Sequence, residues 1–177
     1  GTRFSQQFGS LPHGYDHKYV YSHIGYNLKV TDMQAAIGCA QLEKLDTFIA
    51  KRRKNFNQLM EIFTPYEDRL LLPKPTPHSD PSWFGFAITV RNNAGFTRNE
   101  FSRFLETHRI ETRGLFSGNL IRHPAFEACP HRVVRNLDNT DTVMNNSLFI
   151  GVYPGLGQAQ FDYVADVVAK FMDGDRV

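Results

Sequence analysis

Two cysteines in 177 residues leave little room for disulfide or thiolate chemistry. Cys39 and Cys129 stand far apart, and no C-x-x-C or other metal-ligand spacing occurs, so no metal site is expected. Both thiols are expected to pack as small hydrophobes in a reducing, cytoplasmic setting. Charge of one sign is also scarce. The formal net charge is +2 with no long basic block, which removes nucleic acid as the default partner. No apolar run approaches membrane-spanning length, so no membrane partner is expected. The opening GTRFSQQFGS carries neither a signal-peptide pattern nor an initiator Met. Missing too are a P-loop, a G-x-G-x-x-G run, a G-x-S-x-G elbow and an H-E-x-x-H pair. The carboxylates are scattered, so the residues alone do not describe a self-contained enzyme.

What is present argues for a packed globular chain. Hydrophobic residues make up 41%, and 15 Phe and 7 Tyr argue against disorder. Residues 1–30 are punctuated by glycine and proline and read as an irregular arm. His13, His17 and His23 fall within it, but their spacing does not share a helical face. An aromatic arm directed at a partner surface fits better than zinc.

Thr31 with Gln34 is a capping box, opening a helix to about Leu45. Met33, Ala36, Ile37 and Ala40 give that helix an apolar stripe. Asp46-Thr47 restarts a second helix, from about Phe48 to Phe63. Its cluster Lys51, Arg52, Arg53 and Lys54 reads as a solvated face with snorkelling stems. Pro65, Pro73, Pro75, Pro77 and Pro81 enforce an extended connector. Trp83–Val90 is the best strand. Thr97 with Glu100 is a second capping box, opening a helix to about His108 whose face is Phe101, Phe104 and Leu105. Ile110–Phe116 reads as a strand, a short helix falls between Asn136 and Asn146, and Leu148–Tyr153 reads as another strand. The last helix, from about Gln158 to Met172, turns Phe161, Val164, Val167, Val168 and Phe171 inward. The order predicts an α/β or α+β domain, a small sheet covered by helices. The expected divisions are an arm over 1–30, connecting helices over 31–63 and a small domain over 64–177.

Between strands, SGNLIRHPAFEACPHRV is polar and turn-rich, the kind of loop that carries function. Arg113, Asn119, Arg122 and His123 are candidates there. For each one singly, an ordinary loop hydrogen bond is the simpler reading.

The run GYNLKVTDMQAAIGCAQLEKL, the basic helix FIAKRRKNF after it and the later IGVYPGL resemble the DegT/DnrJ/StrS family of sugar-nucleotide aminotransferases. YDHKYVYSHIGYNLK, SDPSWFGFAITV and ETRGLFSGNLIRHPAF are similar to its subgroup of CDP-4-keto-6-deoxy-D-glucose 3-dehydrases, in which Lys replaces the usual Arg at position 29. The resemblance covers essentially the whole chain. It implies the C-terminal domain of a fold-type-I transferase dependent on pyridoxal or pyridoxamine 5'-phosphate (PLP or PMP). It further implies removal of the C3 hydroxyl of a CDP-sugar for dideoxysugars of O-antigen lipopolysaccharide. A [2Fe–2S] cluster, a flavin/iron–sulfur reductase and a homodimer partner would take part. Under that resemblance the catalytic histidine and the cluster ligands lie upstream of this chain. Asn27 would reach the cofactor phosphate of the neighbouring subunit and Lys29 would face substrate. Arg113, Asn119, His123 and Tyr153 are weaker candidates for the sugar-nucleotide side. Two other readings stay open: part of a PLP-dependent sugar aminotransferase, and a non-catalytic module that binds a partner protein.

Overall fold

The computed structural model describes Ser10, Pro12, residues 24–26 and residues 28–175. His13, His17, His23 and Asn27 lie outside the described residues. The chain divides into two compact units, Gly1–Leu42 and Glu43–Val177.

In the first unit the described secondary structure is helix α1, Asp32–Leu42. It starts where the sequence says. The Thr31 N–H donates to Gln34 Oε1 at 2.9 Å, and the Gln34 N–H donates to Thr31 Oγ1 at 3.3 Å. The stripe through Met33 and Ile37 is present, and both side chains are exposed. Every described residue of this unit is exposed. Cys39 is therefore exposed rather than packed, and so is Cys129 in the second unit. Neither thiol is the small buried hydrophobe that the sequence suggested.

The second unit holds helix α2 (Leu45–Phe63), strands β1 (Leu70–Leu71) and β2 (Gly85–Val90), helix α3 (Arg98–Thr107), strand β3 (Thr112–Gly114), the one-turn helix α4 (Pro124–Glu127), helix α5 (Asp138–Asn146), strand β4 (Ser147–Gly151) and helix α6 (Gln158–Asp173). The four strands form one antiparallel sheet in the order β1-β2-β4-β3. Register decides its two faces. Leu70 opposes Val90, Phe86 opposes Ile150 and Ile88 opposes Leu148, and all six side chains are buried. Successive strand residues alternate between faces. The opposite face therefore carries Ala87, Phe149 and Arg113, with Phe149 opposite both of the others.

Helices α2, α3 and α6 supply most of the aromatic side chains of the core, joined by Phe86 of β2 and Phe96 of the loop before α3. Phe63 and Phe56 of α2 lie 5.3 and 5.2 Å from the Phe86 ring. Phe171 of α6 meets Phe96 edge-on at 4.8 Å and Phe101 of α3 at 4.9 Å. Such ring pairs add specific geometry to the area they bury. Phe101, Phe104 and Leu105 are buried, as are Phe161, Val167, Val168 and Phe171, so both inward stripes are as the periodicity reads.

Three local readings need correction. The Leu70–Leu72 stretch is not connector alone: its first two residues pair with Val90 and Thr89 as an edge strand. The basic cluster on α2 is not all solvated. Arg52 Nη1 donates to the Trp83 carbonyl at 3.0 Å, and Arg53 Nη2 pairs with the Asp80 carboxylate at 2.8 Å. These contacts fasten the stretch before β2, where Trp83 stacks on Phe56 at 3.9 Å. The strand after α3 is shorter than its apolar pattern. Arg109, at φ 60°, and Ile110 close the helix instead. The Arg109 N–H returns to the Glu106 carbonyl and the Ile110 N–H to the Leu105 carbonyl, both at 2.9 Å, a Schellman closure.

Candidate functional site

Beside strands β3 and β4 the second unit opens into a cleft of about 800 Å³. Its walls are the 109–113 segment, Phe149–Gly151 of β4, the turn at Tyr153–Leu156 and the first turns of α6, with Leu59 and Phe84 beside them. The Schellman closure sets the first wall, because it brings Arg109 and Glu111 round ahead of β3. Thr112 pins β3 to α3: its Oγ1 donates to Glu106 Oε1 at 2.6 Å and shares a 2.7 Å hydroxyl contact with Ser102. The opposite wall is closed by Tyr163, whose hydroxyl donates to the His108 carbonyl at 3.0 Å.

Arg113 and Tyr153 both line this cleft, so the structure brings these two sequence candidates together. Arg113 is exposed and ion-paired with Glu111. A solvent-exposed pair of this kind contributes little to stability, so exchanging Glu111 for another anion costs little. Tyr153 is held from behind. The buried amide of Asn55 on α2 donates to the Tyr153 carbonyl at 2.8 Å, and the Leu156 N–H closes the turn onto the same oxygen at 3.3 Å. Its ring lies over Gly155, where a Cβ would fall 2.6 Å from Cε2, so the ring needs glycine there. Tyr153 is 56% exposed and lines the cleft.

Asn119 and His123 are placed elsewhere, in a polar lobe between β3 and β4. Asn119 is 3% exposed, and its amide donates to Asp141 Oδ1 at 2.7 Å. Arg122 forks onto the same carboxylate, Nε to Oδ1 at 2.7 Å and Nη2 to Oδ2 at 2.5 Å. His123 Nε2 lies 2.7 Å from the Ser117 carbonyl. These hydrogen bonds are those of a folded loop. The Arg122 guanidinium, and then the Asn119 amide, hold the Asp141 carboxyl down at about 2 against partial desolvation, and Asp141 in turn raises the Arg122 pKa.

Lys29, three residues before α1, is exposed in the first unit. Asn27 lies outside the described residues, so its assignment rests on the resemblance. Sequence reading missed Phe84, Phe149 and Tyr163 as cleft residues, Asn55 as the group behind Tyr153, and Asp141 as the group that holds the separate polar lobe. A signal for Phe149 does exist: in Leu148-Phe149-Ile150 every residue is apolar although alternate ones must face outward.

The profile of the DegT/DnrJ/EryC1/StrS aminotransferase family matches residues 3–169. The chain belongs to this family. Lipopolysaccharide biosynthesis protein RfbH of Salmonella typhimurium is 52% identical over 171 residues, covering 97% of this chain and 39% of that protein. A dTDP-4-dehydro-2,6-dideoxy-D-glucose 3-dehydratase of Saccharopolyspora spinosa is 51% identical over 170 residues, covering 96% and 37%. Among solved structures, a mutant of GDP-4-keto-6-deoxymannose-3-dehydratase (ColD) with bound GDP-perosamine aligns with a TM-score of 0.79 at 28% identity, covering 87% of this chain and 39% of that one. The chain thus spans about two fifths of the length of these relatives. The E. coli GDP-4-keto-6-deoxy-D-mannose-3-dehydratase, also similar in structure, was solved with bound hydrated PLP. The fold is therefore that of a domain of the PLP-dependent aminotransferase type, a small antiparallel sheet with helices.

Proposed function

We propose that this chain is the C-terminal part of a PMP-dependent sugar-nucleotide C3 dehydratase acting on CDP-4-keto-6-deoxy-D-glucose, in a cytoplasmic pathway to 3,6-dideoxyhexoses of O-antigen. The observation that carries the reading is 51–52% identity to a lipopolysaccharide biosynthesis protein and a sugar-nucleotide 3-dehydratase over nearly the whole chain. The cleft supports it: an open pocket with apolar walls and a few polar groups, Arg113 and Tyr153 among them, suits a nucleotide sugar.

When bound, PMP supplies an electron sink for loss of the C3 hydroxyl. The residues of this chain bind and orient. Arg113 offers a guanidinium to the substrate diphosphate. The Tyr153 ring, fixed by Asn55 and Gly155, closes one side of the pocket and presents its hydroxyl to the sugar. In the neighbouring subunit of a homodimer, Asn27 reaches the cofactor phosphate. Lys29 gives substrate a single cationic contact without the fork of an arginine. The chemistry of exposed Lys29 fits a phosphate-bearing ligand.

The [2Fe–2S] cluster does not fit the residues described here. Cys39 and Cys129 belong to separate units, and among the described residues no three His, Cys, Asp or Glu side chains gather. The reading therefore assigns the cluster ligands and the catalytic histidine to residues outside this chain, and a flavin/iron–sulfur reductase supplies electrons there. The test is an assay of the full-length protein carrying this sequence with CDP-4-keto-6-deoxy-D-glucose, PMP and a reductant. A 3-deoxy product is expected. A 4-amino sugar formed with an amino donor would overturn the dehydratase in favour of an aminotransferase.

A further inference from the structure

The outer face of the sheet carries three phenylalanine rings that the core does not use. Phe84 and Phe116 lie 6.0 Å apart with their planes 27° from parallel, and Phe149 sits 5.7 Å from Phe84 and 5.9 Å from Phe116. Phe84 is 67% exposed and Phe116 76%. Phe116 is also held at φ 50°, in the left-handed region, in a turn closed by its own N–H on the Gly114 carbonyl at 2.7 Å. Glycine is the default residue for that conformation, and a bulky ring there is costly. The turn thus displays a ring at a conformational cost and faces it to solvent.

Arg113 stands opposite Phe149 in the strand register, so a cation borders the aromatic group. The charged groups lining the adjoining cleft are Arg109, Arg113 and Glu111, an excess of positive charge. Phe149 is tilted 55° from Phe84 and 37° from Phe116, so the group is a shallow aromatic cradle rather than a flat sheet, and an aromatic cradle beside a cationic edge matches a base joined to phosphate. By their names, two relatives handle a dTDP-sugar and a GDP-sugar, so such a contact must tolerate different bases. Ring stacking does, because every base presents a π-face.

We propose that Phe84, Phe116 and Phe149 form a stacking platform for the nucleobase of a nucleoside diphosphate whose phosphates lie toward Arg113. The proposal rests on the nucleotide-sugar reading of the cleft and adds a base subsite to it.

The test titrates CDP, dTDP, GDP and inorganic pyrophosphate into the full-length protein carrying this sequence, by calorimetry. Each nucleoside diphosphate should bind more tightly than pyrophosphate. Phe116→Gly, which removes the ring and relieves the backbone, and Phe84→Ala should each weaken the nucleoside diphosphates by about tenfold. Pyrophosphate binding should not change, and Phe116→Tyr should retain the parental affinity. Unchanged nucleotide affinity, or an equal loss for pyrophosphate, overturns the platform. So does a fall in melting temperature with unaltered affinity, which would show the rings covered by another part of the protein. The two readings fail separately. Platform binding without C3 deoxygenation removes the dehydratase, whereas turnover with an unaltered KM in both ring-removing variants removes the platform.

Discussion

Helices α1 and α3 begin alike and end in opposite surroundings. Each opens on a threonine capping box, Thr31 with Gln34 and Thr97 with Glu100. Each carries apolar residues at helical spacing. On α3 those residues are buried, whereas every residue of α1 is exposed. A cap specifies where a helix starts; it says nothing about what the helix packs against. Helices this short are marginal without tertiary packing. The stability of α3 is therefore that of its domain, whereas among the described residues α1 shows the hydrogen bonds of its own helix and of the Thr31–Gln34 cap.

The sharpest way to break this contrast is to truncate one apolar side chain on each helix. Phe101→Ala should cost about 3–5 kcal/mol, a large part of the stability of a small domain. The urea midpoint of the chain reads that loss. Ile37→Ala, at a position 65% exposed, should stay within about 0.5 kcal/mol. Equal losses would show α1 packed and erase the difference. A smaller effect sharpens it. Thr97→Ala should lower the stability of the second unit by about 1 kcal/mol. Thr31→Ala should reduce helical circular dichroism at low temperature and leave the main melting transition in place. A shift of that transition by Thr31→Ala would couple α1 to the cooperative unit.

The smallest effect is read against pH. Asp141 titrates at about 2 in the folded chain, below the ordinary carboxylate value, so the folded state favours its ionised form. Its contribution is complete above about pH 4 and is lost as pH falls through 2. Asp141→Asn should flatten the acid limb of the stability curve of the second unit. The capping box of α1, built from neutral Thr31 and Gln34, should show no titration of its own across that range. An unchanged acid limb in Asp141→Asn would show that Arg122 and Asn119 do not hold the carboxylate in solution.

Much of the fold was legible because its signals are local. The two capping boxes, the inward stripe of α6 and the strands around Ile88 and Ile150 each follow from spacing within one segment. What escaped depends on partners distant in sequence. Leu70 and Leu71 lie next to a proline-rich run, and only pairing with Thr89 and Val90 makes them a strand. Arg52 and Arg53 look like any basic helix face until the 80–84 segment returns beneath them. The cleft divides in the same way. Arg113 could be picked out from its segment and Tyr153 through the family resemblance, but no local pattern announces that Asn119 is consumed by Asp141, or that Phe84 and Phe149 share a face. Asn27 and Lys29 were singled out through the family motif, and the physical chemistry of the loop would not have separated them from ordinary polar residues.

Gly118 sets a rule for anyone who rebuilds the turn that carries Phe116. Its φ is 59°, and a Cβ there would fall 2.7 Å from the Cβ and Cγ of Met144 on α5. Position 116, by contrast, bears a side chain that is 76% exposed. A directed-evolution library aimed at new nucleotide preferences can therefore vary residue 116 among side chains that tolerate its φ of 50°, Asn, Asp and Gly foremost, with Tyr keeping a ring there. Diversity at 118 would be filled with misfolded members, and shortening Met144 would not rescue them, because its Cβ at 2.7 Å and Cα at 2.9 Å would stay in place.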